Sequence, residues 1–277
     1  MSKIFLYCSS STDAGIAKEI NQDSILVRTG ENNCSTYGIF AVADGMGGLS
    51  HGEVASRMAC DFLNSWWEEE IPHILNNEKK LFEDLEISLE KLFNKVNREI
   101  YEFASQTGEN AGTTLSVLFI YNSEFVIKHI GDSRIYRIGK EVEQLTYDHT
   151  WVSFQVSSGN LTHDEAKIHP KRNILTQCLG VFSELDIFTN KGIIENDDVF
   201  IICSDGFYDK LNDNDFHKGA MLIREKPLYG NELAKDLVSF VKRREERDNI
   251  SIIMVYPKSK SLAKTLFERI KTFGKRS

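Results

Sequence analysis

Proline is scarce in this sequence, four residues in 277, and nothing in it reads as a flexible linker, a low-complexity tract or an internal repeat. That excludes a string of tethered modules and leaves one large domain, within reach of this length, followed by a short tail. Cysteine is sparse too. The five present, Cys8, Cys34, Cys60, Cys178 and Cys203, are scattered, odd in number and never spaced as CxxC. A disulfide framework and a cysteine-ligated zinc are therefore excluded, and a reducing cytoplasm fits. No apolar run is long enough to cross a bilayer. The opening MSKIFLYCSSSTD has one lysine and a very short apolar run, too little for a secretory signal. A cytoplasmic location is expected.

Positive charge is in deficit, with a formal net charge of −8, but it is unevenly spread. From Lys258 to Ser277 seven Lys/Arg stand against one Glu, a net of +6, which leaves the remainder at −14. An acidic body excludes a general nucleic-acid binder and suits a protein that collects cations. The domain is placed at 1–257 and the basic tail at 258–277. Within the tail, Leu262, Leu266, Ile270 and Phe273 recur at helical spacing among lysines and arginines. Two readings fit equally: a helix packed on the domain, or an amphipathic surface for a membrane or a partner.

Apolar periodicity orders the rest. Strands are expected near 24–28 and 37–43, then a helix from Ser50 or His51 through Trp66 with Val54, Met58, Cys60, Phe62 and Leu63 on its apolar face. A second helix spans about 79–105, where Leu81, Leu85, Leu89, Leu92, Phe93, Val96, Ile100 and Phe103 repeat. The pattern then switches to strands at 114–121, 125–130, 134–138 and 142–145, with hairpin-length turns between them. A loop-and-helix insertion covers 147–180. Strands return at 198–203 and 250–256, with a helix at about 230–244 between them. This order points to an α+β fold, a β-sandwich of stacked antiparallel sheets with helices outside, and excludes the strict strand–helix alternation of a doubly wound sheet.

The chemistry lies in aspartates at strand ends. Asp23 in NQDSILV precedes a strand, Asp44 in FAVADG follows one, Asp132 follows another in VIKHIGDSR, Asp205 a third in VFIICSDG, and Asp248 precedes the last in RDNISIIMV. Any one of these is an ordinary turn residue. Strand ends on one side of a sandwich are neighbours, however, so several of these carboxylates would converge and repel one another unless cations compensated them. An all-oxygen set without His or Cys selects a hard ion, Mn²⁺ or Mg²⁺, over zinc. Glycines after Asp44 and Asp205 leave room for backbone and small ligands to approach. Two such ions can share a hydroxide and direct it at phosphorus.

In order along the chain, NQDS, DGMGG…GEVAS, AGTT, GDSRIYR, HPKRNILTQCLG, SDGFYD and RDNIS make the sequence resemble the metal-dependent Ser/Thr protein phosphatases, the PPM or type 2C family, in its bacterial form. The match runs from about residue 10 to 256. It implies a sandwich of two antiparallel sheets flanked by helical pairs and hydrolysis of phospho-Ser/Thr by a metal-bridging hydroxide. It also implies two ions, with a third in bacterial members. Carried over by residue, it makes Asp44 the bridge between the metals and the Gly45 carbonyl a further ligand. Asp205 and Asp248 would hold one ion, and Asp23 would contribute to the other through water. Asp132, with the SDG aspartate, would hold the third, and Asp209 would be an outer carboxylate beside them. The insertion at about 149–170 corresponds to the family's flap.

Two positions depart from the wider family. Lys18 stands where an arginine usually grips the substrate phosphate, keeping the charge but losing the planar fork; a plain surface lysine is the rival reading. Met46 stands where many eukaryotic members carry a histidine, so leaving-group protonation falls to another group. His149 and His169, at the two ends of the flap, read as surface histidines on general grounds. Cys203 reads as a core residue, and Trp66 with Trp67 as helix packing. The partners implied are phosphorylated proteins and an opposing bacterial Ser/Thr kinase, and a monomer is expected. Rival functions are an inactive phosphoprotein-binding or kinase-scaffolding module of the same fold, and a phosphohydrolase of small phosphate esters.

Overall fold

A computed structural model describes residues 4–32, 35–46 and 51–259. Its strands are β1 (Ile4–Asp13), β2 (Asp23–Glu31), β3 (Thr36–Asp44), β4 (Leu115–Tyr121), β5 (Glu124–Ile130), β6 (Arg134–Ile138), β7 (Val142–Gln144), β8 (Phe188–Ile193), β9 (Val199–Cys203) and β10 (Ile250–Ser259). The helices are α1 (Gly52–Leu75), α2 (Leu81–Thr107), α3 (Trp151–Ser157), α4 (His163–Ile168), α5 (Asp205–Tyr208), α6 (Asp213–Glu225) and α7 (Gly230–Lys242). The strands form two five-stranded sheets, β1-β10-β9-β6-β7 and β2-β3-β4-β5-β8. Every strand pairing in them is antiparallel.

Four layers result, because each sheet is covered on both faces. In β3, Ile39, Ala41 and Ala43 meet α1 and α2, whose Leu63, Trp66, Phe93 and Val96 share that core. The alternate residues Phe40 and Val42 point the other way, into the space between the sheets, against Phe200, Ile202, Ile253 and Val255. On the far side Tyr136, Ile201, Ile252 and Met254 pack under Phe216, Ile223, Ala234 and Val241 of α6 and α7. A strand buried on both faces reads as a continuous apolar run, which is why β3, β4, β9 and β10 were legible. Each fully buried large side chain adds about 1.5–3 kcal/mol.

The expected α+β sandwich is therefore the observed fold, with differences in detail. Strand β1 pairs with β10 along its whole length yet was not expected, since SSSTD is polar and the strand lies at a sheet edge. Strand β8 and helix α6 also escaped notice. Helix α1 continues through Pro72 to Leu75, beyond the expected end at Trp66. Ala55 and Ala59 on it are 0% exposed, as are Ser56 and Leu63, whereas Val54 and Met58 are half-buried. Small side chains let the helix approach the sheet closely. Trp66, Trp67 and Cys203 are buried as read. The last strand runs to Ser259; the tail from 260 onward, with its amphipathic reading, lies outside the described residues. So do Gly47 and Gly48 of DGMGG.

Candidate active site

The antiparallel register of β2 and β3 sets Asp23 directly opposite Asp44, and such cross-strand neighbours lie about 5 Å apart at Cα. On the other sheet, Arg134 of β6 pairs with Cys203 of β9, which in turn pairs with Ile252 of β10. That alignment carries Asp132, Asp205 and Asp248, each just off the end of one of these strands, to the same edge of the sandwich. Sequence positions far apart thus meet across the mouth of two sheets.

Their electrostatics follow from the meeting. Asp44 has its carboxyl raised well above the ordinary range, first by enclosure and then by repulsion from Asp23, Asp205, Asp132 and Asp248. Asp205 is likewise raised well above it, by enclosure and then by Asp132, Asp248, Asp209 and Asp23. Asp23 is pushed up to about 6, by burial and to a smaller extent by Asp248, against the hydrogen bond of Ser204. Asp132 rises to about 7 through burial and the charge of Asp148, partly offset by Arg134. Asp209, exposed at the rim, takes part through its repulsion of Asp205. Among the described residues, however, no three His, Cys, Asp or Glu side chains close into a ready-made metal cage. The arrangement is an open well of oxygens.

The well fits a hard divalent cation. One oxygen of Asp23, Oδ2, accepts from Ser204 Oγ at 2.9 Å, while Oδ1 is buried with no hydrogen-bond partner. A buried carboxylate oxygen without a partner is costly unless something positive meets it. All the donors are oxygen, and the mutual repulsion is the kind that a bound cation removes. Gly45 suits its expected part: a Cβ there would stand 2.3 Å from the Gly52 carbonyl oxygen and 2.6 Å from that of Gln22. Only glycine lets these backbones close around the end of β3.

Residues that the sequence reading did not single out hold the well in shape. Thr114 Oγ1 accepts from Asp44 N–H at 2.9 Å, and Thr113 Oγ1 donates to the Asp44 carbonyl at 2.9 Å; both threonines are almost wholly buried. Arg134 grips Asp148 through Nε and Nη2 and lies 3.8 Å over the Tyr208 ring. Tyr208 donates from its hydroxyl to the Asp132 carbonyl at 3.0 Å. Thr113, Thr114, Arg134 and Tyr208 lie in quoted motifs (AGTT, GDSR, SDGFYD), so their signal was a polar residue inside a motif with no role yet given; Asp148 lies outside them. His149 corrects the surface reading. It is 6% exposed, its Nδ1 accepts from Gly131 N–H at 3.0 Å, and it stacks on the fully buried His129 with ring centroids 5.2 Å apart. Burial pushes both imidazoles down, His129 to about 3. His169 is half-buried against Trp151.

Lys18 lies in the connection between β1 and β2, and its Nζ stands 3.2 Å from Asp248 Oδ1, with both side chains partly exposed. The structure thus places it at the mouth of the well. Met46 packs its sulfur 3.4 Å from Cys178 Sγ, filling space beside Gly112.

The sequence model of the protein phosphatase 2C family matches residues 16–242. The chain is 32% identical over 249 residues to the protein phosphatase PhpP of Streptococcus pneumoniae, covering 88% of this chain and 94% of that one. It is 30% identical over 253 residues to the serine/threonine phosphatase stp of Listeria monocytogenes, covering 90% and 95%. Among solved structures, the S. agalactiae serine/threonine phosphatase superposes with a TM-score of 0.76 at 30% identity, over 91% of this chain and 99% of that one. The catalytic domain of the phosphatase PstP, solved with two manganese ions, gives a TM-score of 0.74 at 26% identity, over 92% and 100%.

Proposed function

Because this chain belongs to the protein phosphatase 2C family, we propose that its carboxylate well binds Mn²⁺ or Mg²⁺ and hydrolyses phosphoserine and phosphothreonine in proteins. Serine/threonine phosphatase activity follows from membership; the metal, its ligands and the partners are our reading. The observation that carries it is the buried, partnerless Oδ1 of Asp23, a residue that lies directly opposite Asp44 in the β2–β3 register. Divalent cations at such a site polarise a phosphoryl oxygen and generate a nucleophile from water at neutral pH. Asp44, the Gly45 carbonyl, Asp205 and Asp248 would hold two ions, with Asp23 contributing through water and Asp132 able to join Asp205 at a third. Asp209 would stay in an outer position.

The chain's own residues do the rest. Thr113 and Thr114 fix the Asp44 backbone, Ser204 orients Asp23, and Tyr208 with Arg134 steadies the loop that carries Asp132. Lys18, poised at the rim, would meet the substrate phosphate as a point charge without the bidentate grip of an arginine. Among the described residues no helix is long and apolar enough to cross a membrane. Phosphorylated proteins are the substrates, and an opposing Ser/Thr kinase and a monomeric cytoplasmic enzyme complete the reading.

The test is hydrolysis of a phosphothreonine peptide against Mn²⁺ concentration, in wild type, Asp44→Ala and Lys18→Arg. Asp44→Ala should lose activity by about a thousandfold or more, given the several kcal/mol that a cation supplies to the transition state. Lys18→Arg should lower KM with kcat little changed. Activity indifferent to Mn²⁺, or surviving in Asp44→Ala, would sink the reading. The inactive-module alternative rested on Lys18 alone, and no feature of the well favours it.

A further inference from the structure

Asn249 follows Asp248 directly and is almost wholly enclosed, 4% exposed. Its amide is used on both sides. Nδ2 donates to the carbonyls of Ala14 at 3.0 Å and Ile20 at 3.1 Å, and Oδ1 accepts from Gln22 N–H at 2.9 Å. These three partners are spread along one segment, the connection that leaves β1 in one sheet and enters β2 in the other. The segment forms no helix or strand of its own. Lys18 stands in the middle of it.

The ends of the connection are secured without Asn249. Asp13 Oδ1 accepts from Gly15 N–H and from Lys242. The Gln22 carbonyl accepts from Gly45 N–H and Ser56 Oγ, and Asp23 has its own bonds to Asn21 and Ser204. The arc between them is different. Residues 16–20 are exposed throughout, with Ile16 and Ile20 at 55% and 58%, so no apolar burial pins them. An exposed stretch with little packing opens locally at low cost unless hydrogen bonds close it. Asn249 closes it at both shoulders. Gly15, at φ +79°, presses so close to Asp248 that a Cβ there would stand 2.1 Å from its carbonyl oxygen. The arc is therefore folded down onto the strand end that carries Asp248.

We infer that Asn249 is a positioning residue for phosphate recognition: it staples the Lys18 arc over Asp248 so that the ammonium group is in place before the substrate arrives. A lysine on an untethered arc would have to be ordered at each binding event, and that ordering is charged against affinity. The inference rests on the reading of Lys18 as the residue that meets the substrate phosphate. It differs from a role in the metal site: the backbone N–H of Asn249 donates to Asp248 Oδ1 at 2.9 Å, a bond that a side-chain substitution leaves in place, whereas the side chain bonds only the segment that carries Lys18.

The test compares four proteins, wild type, Asn249→Ala, Lys18→Ala and the double variant, on a phosphothreonine peptide at saturating Mn²⁺. Asn249→Ala should raise KM about tenfold, at the low end of what its three hydrogen bonds supply, with kcat within about twofold. In the Lys18→Ala background the same substitution should leave KM unchanged, since the group it positions is gone. Calorimetric Mn²⁺ affinity should be the same with and without Asn249. A KM effect of equal size in both backgrounds, a fall in kcat or a weakened Mn²⁺ site would overturn the inference and assign Asn249 to the metal site. Lys18→Ala alone tests the premise: an unchanged KM there refutes the phosphate role of Lys18, whatever Asn249 does.

Asn249→Asp guards against a misfolded alanine variant. It keeps the size and the acceptor for Gln22 but lacks the two donors to Ala14 and Ile20. Tryptic cleavage after Lys18 should quicken in it while the amides of α1 and β3 stay protected from exchange. An unaltered rate of cleavage at Lys18 would overturn the staple directly.

Discussion

Replacing Asp23 with asparagine isolates the cost of keeping a buried carboxylate in the well, which enclosure sets first and the charge of Asp248 adds to. Asp23 is held at about 6 in the fold against an ordinary 3.8. A group raised in this way is protonated alike in both states below its unfolded pKa and stabilises fully there. As pH climbs through the folded value that contribution is lost, because the chain must ionise a carboxyl it prefers to keep neutral. At about 1.4 kcal/mol per unit, the cost to the metal-free protein is about 1 kcal/mol near pH 4.5 and about 3 kcal/mol near pH 7.5. Asparagine carries no charge, so the variant escapes it while still offering an oxygen to Ser204. The difference in unfolding free energy, variant minus wild type, should therefore grow by about 2 kcal/mol between those two pH values. His129, pushed down to about 3, acts in the opposite sense, losing stability as pH falls below its ordinary value. Both proteins contain it, and it cancels in the difference. Urea denaturation in a chelator gives the measurement. Saturating Mn²⁺ should shrink or invert the advantage, since the cation neutralises what asparagine had removed and wild type binds it better. A difference that stays flat across pH without metal, or a variant less stable than wild type near pH 7.5, would refute the account of Asp23 as a carboxylate that the metal-free well buries at a cost.

What the sequence disclosed, and what it hid, follows from the range of each interaction. The strand ending at Asp44 was legible because both of its faces are buried, so FAVA is apolar without alternation and the carboxylate that ends it stands out. Helix α2 was legible because Leu85, Leu89, Phe93 and Val96 repeat on one face, all fully buried. Strand β1 was not: Ser9, Ser10 and Ser11 carry no strand signal, and its conformation comes from pairing with β10, more than two hundred residues away. Helix α6 did leave a local trace, the capping box of Asn212 and Asp215, hidden in a polar run. The five aspartates could be picked out one by one, but their convergence depends on which residue of β2 lies opposite which of β3, and register is a tertiary fact. His149 was misjudged for the same reason. Nothing in the residues around His149 signals burial; the partner that stacks on it, His129, lies on β5, and its acceptor role appears only when Gly131 comes within 3.0 Å.

Two further perturbations test the scaffold of the well. Gly45→Ala puts a methyl group 2.3 Å from the Gly52 carbonyl oxygen, so the end of β3 must move; a loss of about 1–3 kcal/mol in unfolding free energy is expected, with weaker Mn²⁺ binding by calorimetry. Unchanged metal affinity would mean that the close approach of these backbones is irrelevant to the site. His149→Ala removes the acceptor for Gly131 N–H and the ring stacked on His129, leaving a buried donor unpaired. The expected loss is about 2–4 kcal/mol, the sum of an unsatisfied amide and a cavity. His149→Asn returns an acceptor of shorter reach and should recover part of it. Because His149 also donates its own backbone N–H to the Gly131 carbonyl, the backbone contact between the two loops survives in both variants, and the side chain's share is read alone. If His149 sat at the surface, as YDHTW suggests, neither substitution would move the denaturation midpoint.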